Sequence, residues 1–332
     1  MAPVSFNPAL VIGFGLGVGI LVGMTGIGGG ALMTPLLVLF VGTPPATAVG
    51  TDLVYGAVTK TVGGFKHMKQ KTVDYALSWW MAVGSVPAAV LGVYVVGVLR
   101  KSLGGPKFDH TMLLLLAGAI AFTGALTLIR AIFLKQLIAR ERDHVEMEAR
   151  HKIAAVLLGL SVGFVLGITS AGSGSLIALG LILLFRLSPY KVVGTDIFHA
   201  AIVLWAGGIA HIIAGNVDWA LAGTILIGSV PGVWLGSHMS VRLPAGTLRT
   251  ILGVVLIGAA MGLGSKAGLP IPPWAIAVVP GILAVIVLWE RFRNRVHRHE
   301  ADTVAQYPGT ERRRHSGGSW DKGERRKEKR AV

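Results

Sequence analysis

The chain has 332 residues, 53% of them hydrophobic and 14% charged, an apolar excess and charge deficit that exclude an ordinary soluble domain. It has no cysteine, which removes disulfide frameworks, thiolate nucleophiles, thiolate metal sites and haem attachment together. The formal net charge of +15 crowds into loops and a tail beyond Trp289, a distribution that reads as membrane topology and attraction to anionic lipid rather than as a nucleic-acid surface.

The apolar residues come in blocks that approach the roughly 20 residues a helix needs to cross hydrocarbon, and they show no strand alternation. Met1 to Gly23 lacks a basic leader and a small-residue cleavage site, so it reads as a retained first span. Apolar segments follow at about 9–23, 30–42, 46–65, 75–99 and 111–133. Lys135 to Lys152 is long and rich in charge, with room for a short surface helix. Five further segments lie at about 153–168, 175–187, 191–213, 217–240 and 248–264, and an eleventh at about 274–290. The expected domains are a first transmembrane repeat over 1–134, a cytoplasmic linker over 135–152, a second repeat over 153–265, an additional span over 266–290 and a basic tail over 291–332. The tail is polar and interrupted by Gly and Ser, a composition that predicts disorder.

Laid on itself, the chain matches without a gap. Gly23-Met24-Thr25-Gly26-Ile27-Gly28-Gly29-Gly30 falls on Gly167-Ile168-Thr169-Ser170-Ala171-Gly172-Ser173-Gly174, an offset of 167 − 23 = 144 residues. At the same offset Pro45 meets Pro189, Val49-Gly50-Thr51-Asp52 meets Val193-Gly194-Thr195-Asp196, His67 meets His211, and Gly84-Ser85-Val86-Pro87 meets Gly228-Ser229-Val230-Pro231. So many pairings at one offset mark a duplication. With Met1 outside, the loops around Lys66 to Lys71, Lys135 to Lys152, Arg186 to Lys191 and Arg242 to Arg249, and the tail, are cytoplasmic and basic; Arg100, Lys101 and Lys107 are the exception on the other side. The second repeat then starts inside, opposite to the first, which is the plan of many secondary transporters. The fold class expected is an all-α integral membrane protein, a polytopic bundle of two inverted repeats of about five apolar segments each, with re-entrant or broken helices, plus one C-terminal span. Segments 30–42 and 175–187, at about 13 residues, either span fully or fold back on their predecessors as re-entrant hairpins.

Each repeat carries a glycine cluster between two short apolar segments. Glycine lets the backbone bend tightly and approach a ligand, and the helix that follows offers unpaired N–H groups to an anion. In hydrocarbon such breaks are tolerated where protein or an aqueous cavity satisfies them. The candidate substrate-binding residues are Thr25, Gly26, Gly28, Gly29 and Gly30 in the first turn and Thr169, Ser170, Gly172, Ser173, Gly174 and Ser175 in the second. The competing reading is that these small residues only permit close helix packing. Asp52 and Asp196 each lie seven residues after a helix-opening proline, about 10 Å into the membrane. With Thr51 and Thr195, and with Tyr55 and His199 one turn on as hydrogen-bond partners, they form a candidate proton-coupling or polar core; alternatively each Thr-Asp ties a broken helix end. Lys60, opposite Leu204 in the repeat, either attracts an anionic substrate or snorkels to the cytoplasmic helix end. His67 and His211 belong near the membrane faces, and Pro87 and Pro231 read as kinks.

The duplicated glycine turn, Val-Gly-Thr-Asp and Gly-Ser-Val-Pro together resemble the sulfite exporter TauE/SafE family of membrane permeases over about residues 8–265. The resemblance implies transport of sulfur-containing anions such as sulfite, thiosulfate or organosulfonates across a bacterial inner membrane. The second turn departs from the first in carrying Ser170, Ser173 and Ser175 where the first has Gly26, Gly29 and Ala31. The expected function is secondary transport of a small anion by alternating access. No nucleotide-binding loop is present, so the energy source expected is an ion gradient, with a proton as coupling ion. No cofactor, metal or nucleic-acid partner is expected, the partners being the anion and the lipid bilayer, and oligomeric state is left open. An anion channel, a membrane scaffold and a membrane enzyme are the alternatives; the last lacks a nucleophile or metal-ligand pattern near His199 or His144.

Overall fold

Proline and aspartate set where the helices start. In the computed structural model, which describes residues 6–25, 30–137, 142–172, 174–239 and 245–306, the regular structure is helical apart from one isolated bridge. The elements are α1 (Pro8–Thr25), α2 (Gly30–Leu36) continuing as a π-helical turn over Leu37–Val41, α3 (Pro45–Lys69), α4 (Tyr75–Leu103), α5 (Gly105–Leu137), α6 (Ala149–Thr169), α7 (Ser175–Phe185), α8 (Pro189–Ile213), α9 (Trp219–Met239), α10 (Ala245–Lys266) and α11 (Pro273–Gln306). Pro45 and Pro189 open α3 and α8, where a missing N–H goes unnoticed. Asp74 caps α4 by accepting from Leu77 N at 3.1 Å, and Asp218 caps α9 by accepting from Leu221 N at 2.9 Å.

Six helices, α4, α5, α6, α8, α9 and α10, are long and apolar enough to cross a membrane. Large apolar side chains such as Tyr94, Phe122, Ile153 and Ile227 point outward, the surface that a lipid solvent requires, and the chain is a polytopic membrane bundle. α3 is as long as α8 yet is not among the six, because it carries Asp52, Lys60 and Thr47, Thr51, Thr59 and Thr61. Every residue from Pro45 to Ala57 is buried, so protein rather than lipid surrounds this first half of the helix and it needs no apolar exterior, whereas Val62 and Phe65 farther along are exposed. α7, at 11 residues, reaches about 16 Å, roughly half the hydrocarbon thickness.

The duplication is visible in how the helices meet. On α4 and α6, Gly159 lies against Met81 and Ser85, Gly163 against Ser85, and Gly167 against Ala89. On α9 and α1, 144 residues removed in each case, Gly15 lies against Ile225 and Ser229, and Gly19 against Ser229 and Gly232. Thus the first helix of each half packs in parallel against the fourth helix of the other. The small residues let the backbones touch, which is how helices associate where lipid removes the hydrophobic drive. α3 and α8 instead run antiparallel: Gly50 lies against His211 and Asn216, Gly56 against Leu204, and Gly63 against Ile197. The same exchange appears in two hydrogen bonds, Asp74 N to Thr195 Oγ1 at 2.9 Å and Asp218 N to Thr51 Oγ1 at 3.0 Å. Thr195→Val leaves the Asp74 N–H without that acceptor, so it is expected to destabilise the protein by about 1–3 kcal/mol, read as a lowered unfolding midpoint in detergent.

Arg100, the exception to the expected charge topology, donates from Nη1 to Asn216 Oδ1 at 3.0 Å. Asn216 in turn donates from Nδ2 to His211 Nδ1 at 3.2 Å, and His211 Nε2 meets Gly167 O at 3.0 Å. The basic residue therefore closes a polar end of the bundle. The ends of the linker belong to α5 and α6, and in its described middle, 142–148, no surface helix forms. Arg142 instead pairs with the α7–α8 turn, its N–H donating to Arg186 O and its carbonyl accepting from Ser188 N, both at 2.9 Å. His144 Nδ1 lies 3.3 Å from Asp74 Oδ2, which fixes the same stretch to the cap of α4.

The chain divides into two compact units, Met1–Ala284 and Val285–Val332. In the second, the backbone stays helical to Gln306, so the basic stretch 291–306, whose composition predicts disorder, continues α11. Its Arg, Glu and Ala residues are good helix formers, and propensity outweighs polarity here. Residues 307–332 lie outside the described ones.

Candidate functional site

Asp52 sits at the meeting point of the two halves. It is 0% exposed, and its Oδ2 accepts from Thr34 Oγ1 of α2 at 2.6 Å and from Ser170 Oγ at 3.0 Å. Ser170 follows α6 in a left-handed conformation, φ 57°, which turns the chain and aims its hydroxyl inward. Gly30 opens α2 against both: a Cβ there would lie 2.9 Å from Ser170 O and 3.5 Å from Asp52 Oδ2. The start of α2 and the turn after α6 thus lie against each other around one carboxylate. Asp52 Oδ1 is buried and has no hydrogen-bond partner.

The other expected residues distribute unevenly. Thr169 Oγ1 donates to Val165 O at 2.7 Å within its own helix. Gly172 adopts φ 104°, a value that favours glycine, and Gly174 precedes α7. Ser175 pairs with Thr127 Oγ1 of α5 at 2.6 Å, which ties the start of α7 to the scaffold. Thr51 and Thr195 serve the helix starts described above rather than the carboxylates beside them. Thr25 ends α1, nothing is described of its side chain, and Gly26, Gly28, Gly29 and Ser173 lie outside the described residues.

Neither aspartate bonds to the residue one turn along its own helix. Tyr55 lies near Ser229 of α9, and His199 Nδ1 donates to Ser78 O of α4 at 3.3 Å. Both side chains are instead drawn to neighbouring helices.

Asp196 has a different neighbourhood. Its counterparts to Thr34 and Ser170 are Ala178 and Gly26, which carry no hydroxyl. Asp196 Oδ1 and His199 Nε2 are buried without hydrogen-bond partners. Lys60 and Arg130 lie within electrostatic reach of Asp196, and Arg130 within reach of Arg249. Gly56 against Leu204 and Gly63 against Ile197 bracket Lys60 level with Ala200, one turn from Asp196. Lys60 is 6% exposed and its Nζ is buried, so its ammonium stays inside instead of snorkelling out. Thr34 and Arg130 are absent from the sequence reading, which sets Arg249 in a basic loop. The available signals were a threonine inside a short apolar segment and an arginine inside a long one.

The family model described as sulfite exporter TauE/SafE matches residues 11–263, which include all of these positions. YjnA of Bacillus subtilis, described as a probable membrane transporter protein, is 38% identical over 247 residues, covering 74% of this chain and 96% of its own. YunE of the same organism, with the same description, is 27% identical over 262 residues, covering 75% of this chain and 94% of its own. A probable membrane transporter protein of Xylella fastidiosa is 28% identical over 255 residues, covering 76% of this chain and 93% of its own. No solved structure matches the chain. On a match that runs from α1 to the last turn of α10, this chain belongs to the sulfite exporter TauE/SafE family.

Proposed function

We propose that the protein is a secondary transporter of small sulfur-containing anions, such as sulfite, thiosulfate or an organosulfonate, that works by alternating access and is driven by a proton gradient. The membrane-transporter descriptions of its relatives and the family match support the general reading. The observation that carries the specific one is Asp52, buried between a hydroxyl from each half with Oδ1 unpartnered and Gly30 against it. A carboxylate in this place repels an anion while ionised and admits it once protonated. Proton and anion therefore bind together, which is the stoichiometric basis of coupling. The antiparallel packing of α3 against α8 supports a two-fold arrangement in which the halves have opposite membrane orientations, and rocking of one against the other exposes the site to each side in turn. The basic loops support a cytoplasmic C-terminus, and the family match supports a bacterial inner membrane as its location.

Purified protein in proteoliposomes loaded with radiolabelled thiosulfate is expected to show saturable flux that follows an imposed pH gradient. Flux indifferent to the gradient removes the coupling, unitary currents in a planar bilayer replace the carrier with a channel, and no flux of sulfite, thiosulfate or organosulfonate removes the substrate class.

A further inference from the structure

Threonines inside the helices of this chain ordinarily return their hydroxyl to the carbonyl four residues back, as Thr61, Thr111, Thr127, Thr169 and Thr224 do. Thr123, midway along α5, does not. It is 2% exposed, and its Oγ1 is buried without a hydrogen-bond partner. A buried hydroxyl left unpaired costs stability, so its persistence calls for a use. What it faces is the turn between α6 and α7. A Cβ on Gly172 would lie 3.8 Å from Thr123 Oγ1, and one turn farther along α5 Thr127 Oγ1 and Ser175 Oγ are 2.6 Å apart. Thr127 already donates to Thr123 O at 2.7 Å, so Ser175 is the donor in that pair. The two threonines therefore bracket residues 172–175: Thr127 fastens the start of α7, and Thr123 keeps a free hydroxyl beside a residue with no side chain.

The amides of this turn are engaged unevenly. Ser170 N donates to Leu166 O at 2.8 Å, Ala171 N to Thr169 Oγ1 at 3.3 Å and Leu176 N to Gly172 O at 3.1 Å. The N–H groups of Gly172, Gly174 and Ser175 belong to buried residues and have no acceptor among the described ones, and α7 starts without a side-chain cap. Buried amides are nearly always paired, and free ones at the positive end of a helix dipole suit an anion. The place is deep. α7 reaches only about halfway through the hydrocarbon, so its start lies inside the bundle, beside the middle of α5. It also adjoins the corner: Ser170, which donates to Asp52 Oδ2, is two residues before Gly172, at most about 7 Å of chain. The repeat equivalents of Thr123 and Thr127 are Ala267 and Ile271, so this pair of hydroxyls serves the second turn alone.

We propose that Thr123 is a substrate-binding residue, its hydroxyl joining the free N–H groups at the start of α7 to hold one oxyanion next to Asp52. The proposal rests on the transport reading only in calling that oxyanion the substrate; binding itself does not depend on flux. Every donor in the set is neutral. Hydroxyl and amide donors match the oxygens of sulfite, thiosulfate or a sulfonate, and they leave the anion's charge to be offset by the proton on Asp52.

Two measurements on the full-length protein in nanodiscs test this: the unfolding midpoint without ligand, and equilibrium binding of radiolabelled thiosulfate in mildly acidic buffer. Thr123→Val keeps the shape of the side chain and breaks no hydrogen bond within the protein, so the midpoint is expected to stay or rise while Kd increases about tenfold or more. Thr123→Ser, which restores the hydroxyl, is expected to bring Kd back to within about threefold of wild type. Thr127→Val is the structural control. It removes the acceptor of Ser175, and its midpoint is expected to fall. An unchanged Kd in folded Thr123→Val overturns the site. A midpoint that falls in Thr123→Val as far as in Thr127→Val, or a Thr123→Val protein that does not fold, overturns it too, because the hydroxyl then serves structure. Wild type that binds neither thiosulfate nor sulfite saturably has the same consequence. Binding that depends on Thr123 without flux in vesicles removes the transport reading and leaves the site standing.

Discussion

Gly159→Leu is expected to abolish assembly of the bundle, with the variant recovered aggregated rather than as a monodisperse peak in size-exclusion chromatography. A Cβ at this position runs into Met81 O and lies 3.1 Å from Ser85 N, so the obstacle is backbone and no rotamer change relieves it. The neighbours on the same face are no more forgiving: a Cβ at Gly163 would be 2.6 Å from Ser85 Cα, and one at Gly167 would be 3.0 Å from Ala89 Cα. α4 and α6 must separate along their whole contact to admit one leucine. Overpacking of this kind costs about 3 kcal/mol where a core can adjust, and more where it cannot, against a total stability of about 5–15 kcal/mol. Gly17 supplies the control. It faces outward on α1, a Cβ there would meet nothing within 4 Å, and Gly17→Ala is expected to leave the unfolding midpoint within about 0.5 kcal/mol of wild type. Equal tolerance of both changes would mean that α4 and α6 do not meet through their backbones.

Asp52→Asn is the substitution with the largest expected effect on transport. It keeps the shape and the hydrogen bonds that Thr34 and Ser170 can still donate, and it removes the exchangeable proton. Gradient-driven uptake is expected to fall roughly a hundredfold, the equivalent of about 3 kcal/mol, with insertion and monodispersity unchanged. Asp196→Asn is expected to impair proton-coupled flux as well. It differs in that it also removes the carboxylate within electrostatic reach of Lys60 and Arg130. Coupled uptake by Asp52→Asn at the wild-type rate would exclude this carboxylate as the proton carrier.

The membrane class and the duplication were legible because both are written in composition and spacing, which survive without coordinates. The apolar blocks correspond to helices, and Pro45 and Pro189 open α3 and α8 where the sequence puts them. Asp52 was legible as a buried acid because it repeats. Its partners were not: Thr34 lies on another helix, its repeat equivalent is Ala178, and only the approach of α2 to the turn after α6 brings it within 2.6 Å. The same blindness hid Arg130, and it left Arg249 as one charge of a basic loop. A search keyed to repetition favours residues that occur twice, and Arg130 and Arg249 occur once. Thr51 and Thr195 show the converse. They repeat as faithfully as the aspartates, but their work is to hold the starts of α9 and α4.

The crossed partnership of α1 with α9 and of α6 with α4 has a consequence for biogenesis. α1 begins at Pro8 and its partner at Trp219, so at about 5–20 residues per second α1 emerges roughly ten to forty seconds before the helix that will cover its glycine face. During that interval Gly15 and Gly19 face lipid or an insertion chaperone. Neither half can bury its own first helix, so the nascent chain becomes a finished protein only when ribosomal synthesis has passed the third quarter of its length and the two ends of the message have, in effect, been folded together.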